Sequence, residues 1–142
     1  MNNLEIRAYI LGQLVHLEES KKAMLDAYFP LPDRHVERKS TEILLERYVH
    51  RIEKLLFCLT HEPDFKLTFV VIGSTVTIRN KQSHVAESYK ICYPDHADID
   101  AGCISFLSPL GRQLLLSPIY STVNVAVPDG ECEYVVECIS VP

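Results

Sequence analysis

The chain has 142 residues, of which 47% are apolar and 23% charged, and its net charge is −5. This composition excludes a disordered polymer, and the length suits one ordinary domain or two small ones of about 60–80 residues. Residues 1–60 hold nine basic and nine acidic groups, whereas residues 61–142 hold five and ten. An acidic C-terminal half is unsuited to gripping a nucleic-acid backbone, which takes clustered Lys and Arg, so a protein partner is expected.

No run approaches the roughly 18 apolar residues that a membrane span needs. The opening MNNLEIRAYILGQL carries Glu5 and has no small-residue cleavage site after its apolar part, so it does not read as a signal peptide. Cys58, Cys92, Cys103, Cys132 and Cys138 are odd in number and lack C-x-x-C spacing. Reduced, mostly buried thiols in a cytoplasmic protein are expected, with no membrane partner.

The first half has a helical period. Ile10, Leu14, Leu17, Met24 and Tyr28 follow three–four spacing, and residues 3–28 hold no Pro and only Gly12, which predicts one long helix. FPLPD (29–33) stops it, because Pro30 and Pro32 disfavour helical geometry at the residues before them. Asp33 offers a side-chain acceptor to start the next helix. Leu45, Tyr48, Ile52, Leu55 and Leu59 form the second stripe. Two helices joined by about five residues fold back as an antiparallel hairpin. The predicted boundaries are a hairpin over 1–60, a linker HEPDFK at 61–66, and a second domain over 67–142.

Beyond the linker the period changes to two. LTFVVI, STVTIRN, ESYKICY, STVNVAV and CEYVVECISV read as strands bounded by turn residues. PDGE (128–131) is a turn, with Gly130 free to adopt positive φ. In SPLGRQLLL, Ser108 caps a short helix with Pro109 at its first position. The expected fold class is α+β, a helical hairpin followed by a small antiparallel sheet with one short helix.

Asp95, His96, Asp98 and Asp100 crowd together in YPDHADID, yet the spacing fails a calcium loop. Counted from Asp95, the sixth residue is Asp100 rather than Gly and the twelfth is Phe106. His96 has no close His or Cys companion for zinc. No G-x-S-x-G, G-x-G-x-x-G or Walker loop is present. Asp33 and Glu37 lie four apart at the start of the second helix, where acidic residues are favoured by the helix dipole alone; a shared Mg²⁺ is the other reading of that pair.

IGSTVTI (72–78), SYKICYPDHADIDAGCISFLSPLGRQLL (88–115) and VPDGECEYVVECISV (127–141) resemble the C-terminal domain of the bacterial Gre transcript-cleavage and elongation factors. The shared pattern is a Gly-[ST/A]-x-V-x-[VIL] strand, an acidic turn, an I-S-x-x-S-P-[IL] segment entering a helix, and a closing P-x-G-x-x-x-[FY]-x-[VI] hairpin. The resemblance implies an FKBP-like fold without prolyl isomerase activity, preceded by an antiparallel coiled coil that enters the secondary channel of bacterial RNA polymerase. It implies that Asp95, Asp98, Ser108, Pro109 and Leu110 dock on the channel rim. It also implies that Asp33 and Glu37 stand near the tip carboxylates that help hold a Mg²⁺ shared with the polymerase.

On this reading the chain has no catalytic residues, stably bound metal or small-molecule substrate of its own, and meets nucleic acid only through the polymerase. The tip PDRHVERKSTE (32–42) departs from the family's G-D-[LI]-[KR]-E-N-x-E-Y: its carboxylates are one residue further apart, and the Asn and Tyr are missing. Two outcomes stay open, stimulated RNA cleavage and modulation of the polymerase without it. Related proteins with a different or shorter coiled coil include regulators of nucleoside diphosphate kinase. An FKBP-type prolyl isomerase and an adaptor for another protein are the remaining classes.

Overall fold

Asn2 opens the first helix with a reciprocal cap. Its side chain accepts from the Glu5 N–H at 2.9 Å while Glu5 accepts from the Asn2 N–H at 3.4 Å. Helix α1 then runs Asn3–Tyr28, and α2 runs His35–His61. The structure, a computed structural model, describes residues 2–141. It divides into two units, Met1–Phe65 and Lys66–Pro142.

In the first unit α1 and α2 pack as an antiparallel pair. The α2 stripe is buried as expected: Leu45, Tyr48, Ile52, Leu55 and Leu59 all face the seam, joined by Thr41. On α1 the stripe is displaced from the expected one. Ile6, Ile10, Gln13, Leu17 and Leu25 are buried, whereas Leu14 and Met24 are half-buried and Tyr28 is exposed. A buried polar pair explains the shift, because the Tyr48 hydroxyl donates to Gln13 Oε1 inside the seam. A glutamine with a buried partner can occupy a core position that an apolar count assigns elsewhere. Burial of each large seam side chain contributes about 1.5–3 kcal/mol.

The second unit holds a five-stranded sheet in the order β3-β2-β1-β5-β4. The strands are β1 (Thr75–Asn80), β2 (Ala86–Cys92), β3 (Cys103–Ser105), β4 (Thr122–Val127) and β5 (Gly130–Ser140). Four pair antiparallel, while β3 joins β2 in parallel, so the sheet is mixed. Helix α3 (Pro109–Leu114) packs on β4. Between β1 and β5 the register skips Glu137, since Cys138 pairs with Thr77 but Val136 with Ile78. The extra residue turns its carboxylate to Arg79, which holds it through Nε at 2.5 Å and Nη2 at 3.3 Å.

LTFVVI is not a regular strand. Phe69 forms one isolated bridge with Pro118, and Val70 exchanges backbone bonds with Leu116 and Ser117. The run ends in a turn where Gly73 has φ 92° and the Ser74 hydroxyl donates to the Val71 carbonyl at 2.6 Å. Val70, Val71 and Ile72 are fully buried, so burial accounts for their apolar character rather than strand pairing. The thiols differ from expectation as well. All five are free, but only Cys92 is buried, and Cys138 is exposed.

Candidate functional site

The turn between α1 and α2 is built around Phe29, which is 7% exposed. The Arg34 guanidinium lies over its ring at 5.6 Å, and Arg38 donates to its carbonyl at 3.2 Å. Arg38 also bridges the two helices through Asp26 at 2.9 Å and reaches Glu42 at 3.6 Å. Asp33 is exposed in the turn but does not cap α2. The residue before the helix is Arg34, with no side-chain cap, and its N–H is taken by the Pro30 carbonyl at 3.1 Å. The backbone turn thus places Asp33 one position too early to cap.

Glu37 sits in the first turn of α2, and Arg34 approaches its carboxylate at 3.5 Å, both side chains being about half exposed. Asp33 and Glu37 therefore share the tip with Arg34, Arg38 and Lys39. Among the described residues no group of three or more His, Cys, Asp or Glu is placed to hold a metal.

The acidic loop in the second unit has a defined backbone. Pro94–His96 and Ile99–Ala101 each form a single 3₁₀ turn. Asp98 and Cys103 exchange both backbone bonds at 2.9 Å, which closes the second turn. Gly102 makes this closure with φ 75° while its carbonyl accepts from Lys90 at 2.8 Å. Asp95, Asp98, Asp100 and Ile99 are exposed, Ile99 at 77%.

β3 carries the chain from this loop directly into a serine-built turn. The Ser105 hydroxyl accepts from the Leu107 N–H at 2.9 Å. The Ser108 hydroxyl donates to the Ser105 carbonyl at 2.7 Å and accepts from the Gly111 N–H at 3.1 Å. Ser108 is thus the expected cap of α3, with Pro109 in the first turn. Pro109 is exposed and Leu110 half-buried. Arg112 braces the turn from behind by donating to the Leu107 carbonyl at 3.0 Å, and burial lowers its pKa below the usual arginine value.

The structure thus separates the sequence-identified residues into two sets. Asp33 and Glu37 occupy the hairpin tip, while Asp95, Asp98, Ser108, Pro109 and Leu110 lie along one continuous run through β3. Arg34, Arg38, Ser105 and Gly111 are the contributors that spacing did not single out. The paired serines of Ser105-x-x-Ser108 were the available signal for the turn.

Residues 66–141 match the model of the family described as "Transcription elongation factor, GreA/GreB, C-term". The chain belongs to the GreA/GreB family. The matched segment is just over half of the chain and includes every strand and the whole serine-built turn. A GreA from Desulfovibrio desulfuricans is 42% identical over 65 residues, and one from Pelobacter propionicus is 45% identical over 65 residues. Each alignment covers 46% of this chain, and 40% and 41% of the relative. The chain therefore spans about two fifths of the length of the curated relatives it matches. Among solved structures, a GreA/GreB factor from Nitrosomonas europaea has a TM-score of 0.49 at 23% identity, covering 74% of this chain and 94% of that one. GreA factor homolog 1 of Thermus thermophilus has a TM-score of 0.46 at 19% identity, covering 97% and 92%. No helix among the described residues is long and apolar enough to cross a membrane.

Proposed function

We propose that this GreA/GreB-family chain is a cytoplasmic regulator of transcription elongation that acts by binding bacterial RNA polymerase and has no catalysis of its own. The observation that carries the reading is the continuity of the family segment. The acidic loop, β3 and the serine-capped turn form one braced surface, with Asp95, Asp98 and Pro109 exposed along it. Internal hydrogen bonds fix the backbone of that surface before any partner arrives, which lowers the ordering cost of docking. In this reading the C-terminal unit docks on the rim of the secondary channel, the hairpin occupies the channel, and nucleic acid is met only through the polymerase.

At the tip, the charge arrangement favours modulation over cleavage. Arg34 competes with any cation for the Glu37 carboxylate. A tip so composed obstructs the channel without lending a metal ligand set, and no resident cofactor is part of the proposal. The test is to add the purified chain to a backtracked elongation complex with end-labelled RNA. The expected result is intact RNA with slower or altered elongation, and loss of the effect with Pro109→Ala combined with Asp95→Ala. Prompt shortening of the RNA that disappears with Asp33→Asn would overturn the modulatory reading. Absence of polymerase binding at low salt would overturn the whole.

A further inference from the structure

The hairpin carries a groove that neither the tip nor the docking run uses. It has a volume of about 630 Å³, and Leu11, Leu14, Val15 and Val49 supply its apolar surface. Leu11 and Val15 are 47% and 49% exposed, an unusual display of aliphatic surface halfway along a two-helix arm. We infer that this groove is the self-association surface of the chain, which pairs two hairpins antiparallel about a dyad that crosses α1 near Val15.

Charge around the groove selects a second copy as the occupant. Glu18, Lys21, Glu46, His50 and Glu53 also line it. Gln13 hydrogen-bonds Tyr48, and Asp26 pairs with Arg38, which sets the register between the helices. Counted from either tie, Glu53 lies level with the part of α1 nearer its start, and Lys21 lies toward the tip. The midpoint between those two levels falls within about a residue of Val15. Glu18 and His50 are also 32 residues apart, as Lys21 and Glu53 are, so they share that midpoint.

A dyad placed there brings Lys21 level with the partner's Glu53, and Glu18 level with the partner's His50. Lys21 is six residues from Val15, about 9 Å along the helix, within a lysine's reach of the adjoining apolar surface. Its aliphatic stem then covers Leu11 of the partner subunit while its ammonium reaches the carboxylate. Such an interface is isologous, each side presenting the same patch. Glu46 is the discordant group, because it lies close to the dyad and faces its own copy. It limits the affinity, and neutralising it tightens the pairing.

Sedimentation equilibrium of the full chain, from micromolar to several hundred micromolar, tests the inference without polymerase, so it stands or falls separately from the proposed function. The expected result is a reversible monomer–dimer equilibrium. Glu46→Gln tightens it, and Lys21→Glu weakens it by about a hundredfold, because the dyad makes each substitution break two close charge pairs. Lys21→Glu combined with Glu53→Lys restores it. Val15→Glu abolishes it while leaving the far-ultraviolet circular dichroism unchanged. A monomer at every concentration, or a double variant as weak as Lys21→Glu alone, would overturn it.

Discussion

A methyl group on Gly111 would stand 2.0 Å from the Ser105 carbonyl oxygen and 2.9 Å from its carbon, both of them backbone atoms that cannot swing aside. The Ser108 hydroxyl, also 2.9 Å away, is already committed at both ends. Gly111→Ala is therefore expected to destabilise the second unit by about 3 kcal/mol, the upper range for overpacking, read as a lowered midpoint in urea unfolding. Under the proposed function, binding to polymerase should fall with it, because the displaced turn carries Pro109 and Leu110. The cap itself was legible, since Ser-Pro before an apolar run is a strong start signal. The demand on Gly111 was not, because it depends on β3 lying directly against α3.

Among the elements, strand β2 carries a titratable pair. The Tyr89 hydroxyl donates to the Glu87 carboxylate two residues away on the same strand. That hydrogen bond is the largest cause, followed by burial, that pushes the Tyr89 pKa from 10.0 up to about 12. A raised phenol pKa means that folding favours the protonated form. The associated stability is fully present below pH 10 and is lost as pH rises through about 12. Absorbance at 295 nm should show a tyrosine ionisation near pH 12, and Glu87→Gln should bring it back toward the ordinary range.

The helical elements were largely readable, since α1 spans Asn3–Tyr28 as its Pro-free run indicates. The α1 stripe was displaced because a Gln–Tyr bond inside the seam is invisible to a count of apolar residues. β3 was missed for a related reason. Three residues in parallel pairing leave no alternation to detect.

At the scale of the whole molecule, the chain divides at Phe65 and Lys66. The second unit has its own core, including Val70, Val76, Ile78, Ile91, Phe106, Leu114 and Val136, each almost wholly buried. A fragment beginning at Lys66 is expected to fold alone with a cooperative urea transition, as other domains of that size do. A broad, non-cooperative transition would show that the hairpin is required. The acidic loop and serine turn were legible as one continuous run because their residues are close in sequence. The tip was not, because its character rests on Arg38 meeting Asp26 across the turn and on Arg34 meeting Glu37. Side-chain encounters of that kind depend on how the turn closes, and spacing alone does not specify it.

The side-chain hydrogen bonds of Ser105 and Ser108 close within the run from Ser105 to Gly111, while Arg112 and the Cys92 carbonyl tie the run to its neighbours, and Pro109 is its one exposed residue. Under the proposed docking, grafting partner preference from one relative to another would take the seven residues together with Arg112 as a block. Within the block, position 109 is the natural place to write a new preference, because rewriting it leaves the surrounding hydrogen bonds untouched.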